Sequence, residues 1–336
     1  MSKSNIKAVA IGVDLGGTNL RVGIVDQEGS ILKSIKRPTM AKEGKDKAIN
    51  RIIDALRKAI EISNQLSVEV KGICIGAPGF LDIKRGIIKE SPNLQGWKDV
   101  ALREEIQNRA HFPPILIQND ANGFTYGEWW RGAGKGYNSI VGITLGTGVG
   151  GGLILDKKIW LGEDGAAGEI GHMIVEPYGL RCQCGRYGCL ESYSSGTGIV
   201  NRTIMALKKG INSSLINRTE GNFSLIKSRM VFEEAVAGDE LSLNIMEGAG
   251  RYLGIAVSSL INILNVYRFI IGGRVAGAGN IILKPAREEI LKRAINLPAK
   301  GEVIVEASLG DNAGIIGTAG IVLESAYREN LHLTQQ

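Results

Sequence analysis

Residues 12–26 read GVDLGGTNLRVGIVD, and residues 142–156 read GITLGTGVGGGLILD. Each segment consists of an apolar strand, a turn of Gly and Thr, a second strand and a polar turn. Two hairpins of this kind half a chain apart predict a duplication, in which two α/β lobes share one topology. The coinciding positions are Gly12, Leu15, Gly16, Ile24 and Asp26 in the first segment and Gly142, Leu145, Gly146, Ile154 and Asp156 in the second.

The rest of the chain alternates between patterns typical of helices and of buried strands. The Asn- and Ser-rich stretch 210–222 indicates a mobile surface loop. The whole pattern is that of an α/β protein. Apolar spacing predicts helices at 47–62 and 240–264, strands at 70–77, 115–118 and 269–271, and a helix start at 314–320.

Composition excludes several classes of protein. The chain has 336 residues, which is enough for two domains, and its net charge of +6 is spread without a basic tract. We therefore expect no nucleic-acid partner, and the lack of a long apolar run predicts no membrane partner. The N-terminus shows no cleavable signal, and clustered cysteines with metal spacing favour a reducing compartment, so we expect a cytoplasmic protein.

Three glycine-containing segments are candidates for binding phosphate groups. Glycines in a tight turn let backbone N–H groups converge on an anion, and a threonine adds a hydroxyl donor. Asp14 would then lie near a phosphate-bound Mg²⁺. The sequence contains neither a P-loop nor the fingerprint of a dinucleotide-binding unit. The candidates are Gly16, Gly17, Thr18 and Asn19 in the first turn, Gly146, Thr147 and Gly148 in its repeat, and Gly272 and Gly273 after a buried strand.

One histidine and three cysteines have the spacing of a zinc site. His172, Cys182, Cys184 and Cys189 follow the pattern H-x₉-C-x-C-x₄-C. Such a closed ligand set predicts a tetrahedral structural zinc that does no chemistry itself. Glu169 and Glu191 flank the site. They are either acids that the loop presents to a ligand or simply solvated side chains.

An Asn-Asp pair follows the strand at 115–118. Asp120 in this position is suited to accept a proton from a hydroxyl that attacks a phosphoryl group. Taken alone, the pair favours a turn or a helix cap instead. The phosphate turns and the zinc loop in the same chain favour the catalytic interpretation.

The segments 14–19, 145–152, 271–273, 169–172 and 182–191 together resemble the motifs of the ROK family of sugar kinases. Within that family the chain is most similar to the zinc-containing glucokinases, over about residues 8–325. The resemblance implies a bilobal actin/hexokinase-like fold, with two related α/β lobes around a central cleft. It also implies a small lobe of residues 1–117 with a C-terminal helix at about 315–336, and a large lobe of 118–314.

The resemblance further implies an ATP:hexose 6-phosphotransferase with ATP and Mg²⁺ as cofactors and a structural Zn²⁺. Asp120 would be the general base on the 6-hydroxyl of the sugar. His172 would bind zinc through one ring nitrogen and a sugar hydroxyl through the other. A homodimer or homotetramer is implied as well. The residues implied to hold the hexose are Gly79, Asn93, Asn119, Asp120, Glu169, His172 and Glu191.

The chain departs from the family pattern at two points near the expected adenosine motif. Val266 stands where the family often has Pro, and Arg274 stands where it often has a third Gly. Arg274 would either reach a phosphate or face solvent, and we favour solvent. Both departures concern the adenine pocket and leave the class of protein unchanged.

Several functions remain open within and beside this family. Glucose is the first expectation, because 91–97 resembles the glucokinase version, although 192–196 leans towards kinases of N-acetylmannosamine or N-acetylglucosamine. Fructose is a further alternative. A sugar-responsive repressor is disfavoured because only about seven residues precede the first predicted strand, which leaves no room for a helix-turn-helix. A catalytically silent sugar-binding protein is disfavoured because Asp120 and both phosphate turns are intact.

Overall fold

The computed structural model describes residues 7–91, 93–298 and 302–333, with the backbone alone for 326–333. Across these residues the protein is mixed α/β, as the sequence predicted. Pro92 and the outermost residues of the predicted small lobe, 1–6 and 334–336, lie outside the described residues.

Two five-stranded sheets and a three-stranded sheet form the β structure of the described residues. The first sheet has the order β3-β2-β1-β4-β8, and the small sheet has the order β5-β6-β7. In the first sheet β1 pairs antiparallel with β2 and parallel with β4. The strands are β1 (Ala8–Leu15), β2 (Asn19–Asp26), β3 (Ile31–Pro38), β4 (Glu69–Ala77), β5 (Phe80–Asp82), β6 (Ile87–Glu90), β7 (Lys98–Val100) and β8 (Ile115–Asn119).

The second large sheet repeats the topology of the first. Its order is β11-β10-β9-β12-β13, so each strand takes the place of its counterpart in the first sheet. The strands β9, β12 and β13 are parallel, and β10 and β11 form an antiparallel hairpin. This equivalence agrees with the predicted duplication. The strands are β9 (Ile140–Leu145), β10 (Val149–Leu155), β11 (Lys158–Ile159), β12 (Phe269–Gly272) and β13 (Ile304–Glu306).

Ten α-helices connect and cover the strands of the described chain. The predicted long helix at 240–264 has the predicted bounds, and the helix predicted at 47–62 is longer by a few residues at each end. The helices are α1 (Lys45–Gln65), α2 (Leu102–Arg109), α3 (Asp120–Arg131), α4 (Glu191–Ser194), α5 (Gly196–Lys208), α6 (Leu215–Arg218), α7 (Ser228–Val236), α8 (Glu240–Leu264), α9 (Asn280–Arg293) and α10 (Ala313–Leu333).

The chain divides into two compact units. Unit 1 comprises the described parts of Met1–Asn138, Gly152–Ala167 and Ser308–Gln336, and unit 2 comprises Ser139–Gly151 and Gly168–Ala307. Within unit 1, α3 packs along α10.

Unit 1 is built around the first sheet, with α1 among its packing partners and α10 lying directly on the sheet. Apolar residues of α1 such as Ile52 and Leu56 are fully buried in the core. On α10, Ile315 and Ala319 pack with Cys74 of β4 in a second cluster. A Cβ atom on Gly12 would lie 2.0 Å from the carbonyl oxygen of Ile315. Glycine at this position therefore lets the backbone of α10 contact β1.

In unit 2 the helices α8 and α9 pack closely through small residues. A Cβ atom on Gly250 would lie 2.2 Å from the Ile282 carbonyl oxygen, and one on Gly254 would lie 2.5 Å from that of Ala286. The two helix backbones therefore approach one another at contact distance. The apolar strand β12, which lies in the same unit, is fully buried.

Candidate functional site

The first glycine turn of unit 1 connects β1 to β2. The Gly16 N–H donates to the Asn19 carbonyl at 2.9 Å, which closes the turn. Thr39, a residue that the sequence did not single out, fastens the turn from the end of β3. Its hydroxyl donates to the Gly16 carbonyl at 2.6 Å, and its N–H donates to the Thr18 carbonyl at 2.9 Å.

Two of the predicted sugar-binding positions in unit 1 lie against other predicted site residues. A Cβ atom on Gly17 would lie 2.4 Å from the carbonyl oxygen of Asn93, so this turn accepts only glycine where Asn93 approaches. Gly79 has φ +106°, which favours glycine, and its carbonyl accepts a hydrogen bond from the Asn119 side chain at 3.3 Å. In the structure Gly79 therefore contacts Asn119, and Asn93 contacts the first glycine turn.

The Asn-Asp pair lies where β8 ends and α3 begins. The Asn119 side-chain oxygen caps the helix, accepting from the N–H groups of Ala121 at 2.9 Å and Asn122 at 3.3 Å. Capping is therefore performed by Asn119, and Asp120 is the first residue of the helix. An ionised carboxylate at this end of a helix is favoured by the backbone dipoles.

Asp14 is a second carboxylate of unit 1, and the charge of Asp120 affects its pKa. Burial, and after it the negative charges of Asp120 and Asp311, raise the pKa of Asp14 to about 6, while Arg21 opposes the shift. Arg21 itself pairs with Asp311 at 2.6 Å. The sequence did not single out Arg21 or Asp311, because their approach depends on α10 reaching β2. Two acids with interacting charges form a site suited to a cation or to a proton transfer.

Replacing Asp14 by Asn should stabilise the ligand-free protein at neutral pH. The pKa of Asp14 is near its ordinary value of 3.8 when the chain is unfolded and about 6 when the chain is folded. The wild type therefore loses stability as the pH rises from about 4 to 6, by roughly 3 kcal/mol at one pKa unit per 1.36 kcal/mol, and the loss persists above pH 6. Urea unfolding at pH 4.5 and 7.5, without Mg²⁺ or nucleotide, should show the difference between variant and wild type growing with pH. A difference independent of pH would contradict this account.

In unit 2 the four predicted zinc ligands converge. Each offers one ligand atom, and all four atoms lie within 4.8 Å of one another. The Sγ atoms of Cys184 and Cys189 are 3.7 Å apart, and the Cys182 Sγ is 3.9 Å from Nδ1 of His172. A tetrahedron with Zn–S bonds of about 2.3 Å has edges of about 3.8 Å. The donor set and its spacing therefore fit zinc, and the sulfurs are too far apart for a disulfide.

Turns of the chain hold these ligands in place. The Cys182 N–H donates to the Arg186 carbonyl at 2.7 Å, and the Gly188 N–H donates to the Leu180 carbonyl at 2.8 Å. Gly185 and Gly188 both have positive φ, at 88° and 75°. Glycine is the residue that adopts these angles at low cost, so a short loop is able to wrap around one ion.

The two acids beside the zinc ligands have different surroundings. Glu169 is partly exposed, and its Oε2 lies 3.9 Å from Nε2 of His172, the ring nitrogen that faces away from the thiols. Burial raises the pKa of Glu169, the nearby His172 lowers it, and the charge of Glu191 raises it. Glu191 begins α4 and accepts a hydrogen bond from the Val149 N–H at 2.9 Å. Neither acid is therefore simply solvated.

The second glycine turn, which lies in unit 2, borders a cavity. The Gly146 N–H donates to the Gly148 carbonyl at 2.9 Å, as the Gly16 N–H does across the first turn. Gly273 has φ +89°, and a Cβ there would lie 2.4 Å from the Leu145 carbonyl oxygen, so only glycine fits where β12 meets the turn. The cavity has a volume of about 340 Å³ and is lined by Gly146, Thr147, Gly196, Thr197, Val200, Ile226, Lys227, Ser228, Arg274 and Val275.

Two cations line this cavity, and the N-terminal residues of two helices lie beside them. Lys227 and Arg274 are both exposed, and Gly196 and Ser228 begin α5 and α7. Cations and helix N-termini both favour an anion, so the cavity suits a phosphate-bearing ligand. The expectation that Arg274 faces solvent was incomplete, because this side chain also lines the cavity. The sequence did not single out Lys227, which belongs to no motif, or Thr197, although Gly196-Thr197-Gly198 repeats the letters of Gly146-Thr147-Gly148.

Within the described residues, none of the helices combines the length and the apolar character needed to cross a membrane.

Comparison with known proteins gives consistent matches over almost the whole chain. The model of the ROK family matches residues 10–325. A glucokinase of Thermotoga maritima is 38% identical, with 95% of this chain and 98% of that protein covered. A glucokinase of Halalkalibacterium halodurans is 36% identical, with 93% of this chain and 94% of that protein covered.

Solved structures and more distant relatives give further matches over most of the chain. A crystal structure of a ROK family glucokinase from Streptomyces griseus, in complex with glucose and AMPPNP, matches with a TM-score of 0.78 and 33% identity, covering 94% of this chain and 99% of that one. A xylose repressor of Bacillus subtilis matches at 28% identity, covering 94% of this chain but 77% of the repressor. The kinases are thus more similar to this chain than the repressor is.

Proposed function

The chain belongs to the ROK family, and from this membership we propose that it transfers the γ-phosphoryl group of ATP to a hexose, with glucose as the preferred substrate and glucose 6-phosphate as the product. The observation that carries the proposal is the similarity to glucokinases along nearly the full length of both chains. The glucokinase that was solved with glucose and AMPPNP shares the fold at 33% identity. The protein is therefore an ATP-dependent hexose kinase.

We propose Asp120 as the general base that accepts the proton of the 6-hydroxyl. In a phosphoryl transfer the attacking oxygen must lose its proton as it bonds to phosphorus, and an aspartate held in position serves this purpose. The local geometry supports the assignment, because Asn119 caps α3 and the Asp120 carboxylate, which accepts the Ala121 N–H at 2.9 Å, is held at the start of the helix. Asp14, which Asp120 influences through its charge, is proposed to lie beside the metal ion that accompanies the phosphates.

We propose that the hexose hydroxyls are held by the residues that the family resemblance assigns to them. Asn93 and Gly79 of unit 1 lie against other proposed site residues. Glu169 of unit 2 lies beside Nε2 of His172, whose Nδ1 faces the thiols. With Nδ1 as a zinc ligand, His172 would carry its proton on Nε2 and would donate a hydrogen bond from there to a sugar oxygen. The full proposed set is Gly79, Asn93, Asn119, Asp120, Glu169, His172 and Glu191.

We propose that ATP binds through both glycine turns and the β12 end. Gly16, Gly17, Thr18 and Asn19 face phosphates in unit 1, and Gly146, Thr147 and Gly148 do so in unit 2, with Gly272 and Gly273 nearest the adenosine. Mg²⁺ on the phosphates would neutralise charge that develops during transfer. Zinc on His172, Cys182, Cys184 and Cys189 would be structural, since a closed four-ligand set leaves no position for substrate.

Other parts of the account also remain proposals. These are the two lobes bounded at 117/118 and about 314/315, a homodimer or homotetramer as the oligomeric state, and a cytoplasmic location. Sedimentation at micromolar concentration tests the oligomeric state directly. Among other functions, kinases of N-acetylmannosamine, N-acetylglucosamine or fructose are the nearest alternatives. The repressor alternative is weaker, because the xylose repressors match at lower identity than the glucokinases.

A panel of sugars tests which hexose the site prefers. Coupled assays of ADP release should give the highest kcat/KM with glucose and a value at least about tenfold lower with N-acetylglucosamine, N-acetylmannosamine and fructose. A site built to bond a hydroxyl discriminates strongly against a substrate that cannot match it. The control omits the sugar. An N-acetylhexosamine that surpasses glucose would contradict the glucose assignment and leave the kinase class intact.

A further inference from the structure

The second glycine turn is fastened by one segment of unit 2, residues 191–197. The Gly196 N–H donates to the Gly146 carbonyl at 2.8 Å, and the Thr197 hydroxyl donates to the Thr147 carbonyl at 2.8 Å. Ser195 in turn donates its hydroxyl to the Glu191 carbonyl at 2.6 Å. The carbonyls of the turn are therefore drawn towards this segment, and the tip of the turn is left to present N–H groups.

Glu191 contributes a side-chain acceptor to this arrangement. Its Oε2 accepts the Val149 N–H at 2.9 Å, at the point where the turn runs into β10. A Cβ atom on Gly148 would lie 2.3 Å from the same oxygen, so the carboxylate lies directly against the turn. A negative charge at this place would oppose the binding of a phosphate, and its presence therefore needs a reason.

The same carboxylate also touches the zinc loop. Its Oε1 lies 3.8 Å from Sγ of Cys182, and Cys189 precedes Glu191 by two residues. One side chain therefore contacts a predicted zinc ligand with one oxygen and the phosphate turn with the other. This contact is separate from any bond that Glu191 makes to a sugar.

We propose that Glu191 is a positioning residue for the phosphoryl donor, which holds the second glycine turn in its phosphate-binding shape through the Val149 N–H. The inference rests on the proposed function, since it takes the turn to bind the donor phosphates. The zinc loop, which the sequence connects with the sugar, then also sets the affinity for nucleotide. A residue that served the sugar alone would have no effect on nucleotide binding in the absence of sugar.

The comparison of Glu191→Gln with Glu191→Ala isolates the hydrogen bond. Both changes remove the charge, but Gln keeps an acceptor oxygen of the same reach and Ala does not. A hydrogen bond of this type is typically worth about a tenfold change in an equilibrium. If the turn is held in its binding shape only a tenth of the time, the apparent affinity falls by about the same factor.

The test measures AMPPNP affinity by calorimetry with Mg²⁺ and without sugar, and hydrogen exchange of the peptide that contains Val149. Glu191→Ala should bind about tenfold more weakly than Glu191→Gln, and its Val149 amide should exchange faster. Glu169→Gln, which alters the other acid of the loop, should bind AMPPNP like the wild type. The series is repeated on chelator-treated protein, so that loss of metal in one variant is not mistaken for loss of the bond.

Equal nucleotide affinity and equal exchange in the Ala and Gln variants would overturn the inference. A weaker affinity for Glu169→Gln of the same size as for Glu191→Ala would also overturn it, since the effect would not be specific to the bond. A wild-type protein that bound no AMPPNP would instead overturn the proposed function. In that case the exchange of the Val149 amide would still decide whether Glu191 holds the turn.

Discussion

Replacing Asp120 by Asn should lower kcat for glucose phosphorylation by about 10²–10⁴-fold, the usual contribution of a general base. The amide has nearly the same shape and still bonds to a hydroxyl, but it does not take up the proton. The cap of α3 should survive, because Asn119 supplies it. Glucose affinity, measured by calorimetry without nucleotide, should therefore change by less than about threefold.

The matched control for this variant is Asp54→Asn, the same chemical change on the exposed face of α1. Its kcat should lie within about twofold of the wild-type value, as for most surface substitutions. An Asp120→Asn protein with more than a tenth of wild-type activity would remove Asp120 from the role of base. A large loss of glucose affinity would instead assign Asp120 chiefly to binding.

Replacing Cys184 by Ser should remove zinc and lower stability and activity together. The wild type, purified without added metal, should contain about one zinc per chain, and the variant should contain much less, since the site loses one of four ligands. The loop that carries Glu191 would then lose its anchor. We expect the melting temperature to fall by about 5–10 °C, at roughly 2–4 °C per kcal/mol for a chain of this size or slightly smaller.

Cys74→Ala is the matched control, because Cys74 is a buried cysteine of the second cluster of unit 1 and lies outside the zinc ligand set. This variant should keep about one zinc per chain. A wild-type protein without bound metal, or a Cys184→Ser protein as stable and active as the wild type, would contradict a structural zinc at this site.

Much of the fold follows from local patterns in the sequence. The amphipathic spacing of α1 and the small-residue and apolar pattern of α8 gave their positions, and the repeat of the Gly/Thr hairpins indicated two sheets of equal topology. These features depend on residues close in sequence, where helical or strand periodicity is strong. The helix α8 ends at Leu264, and its cap residue Asn265 adopts the left-handed conformation at φ 54°.

Features that depend on distant packing were missed. The stretch at 210–222 was interpreted as a mobile loop, but it contains the short helix α6, and Leu215 is fully buried there. The Ser213 hydroxyl donates to Asp239, the cap of α8, at 2.9 Å. Polar composition alone does not reveal that Ser213 bonds to the residue that caps a helix more distant in the sequence.

The same limit applies to the candidate site. Glycine turns, the zinc ligands and Asp120 belong to short motifs, so the sequence identified them. Thr39, Glu191 as a partner of Val149, and Lys227 acquire their positions only when strands and helices far apart in sequence pack together. The supporting contacts of a site are therefore harder to predict than its motifs.

The most direct test of the account is to incubate the purified protein with ATP, Mg²⁺ and glucose and to follow the products by ³¹P NMR. The account predicts glucose 6-phosphate and ADP in equal amounts, with the rate lowered about 10²-fold or more in the Asp120→Asn protein under the same conditions. Release of inorganic phosphate without any sugar phosphate, or no consumption of ATP with any hexose of the panel, would contradict the assignment of this chain as an ATP-dependent hexose kinase.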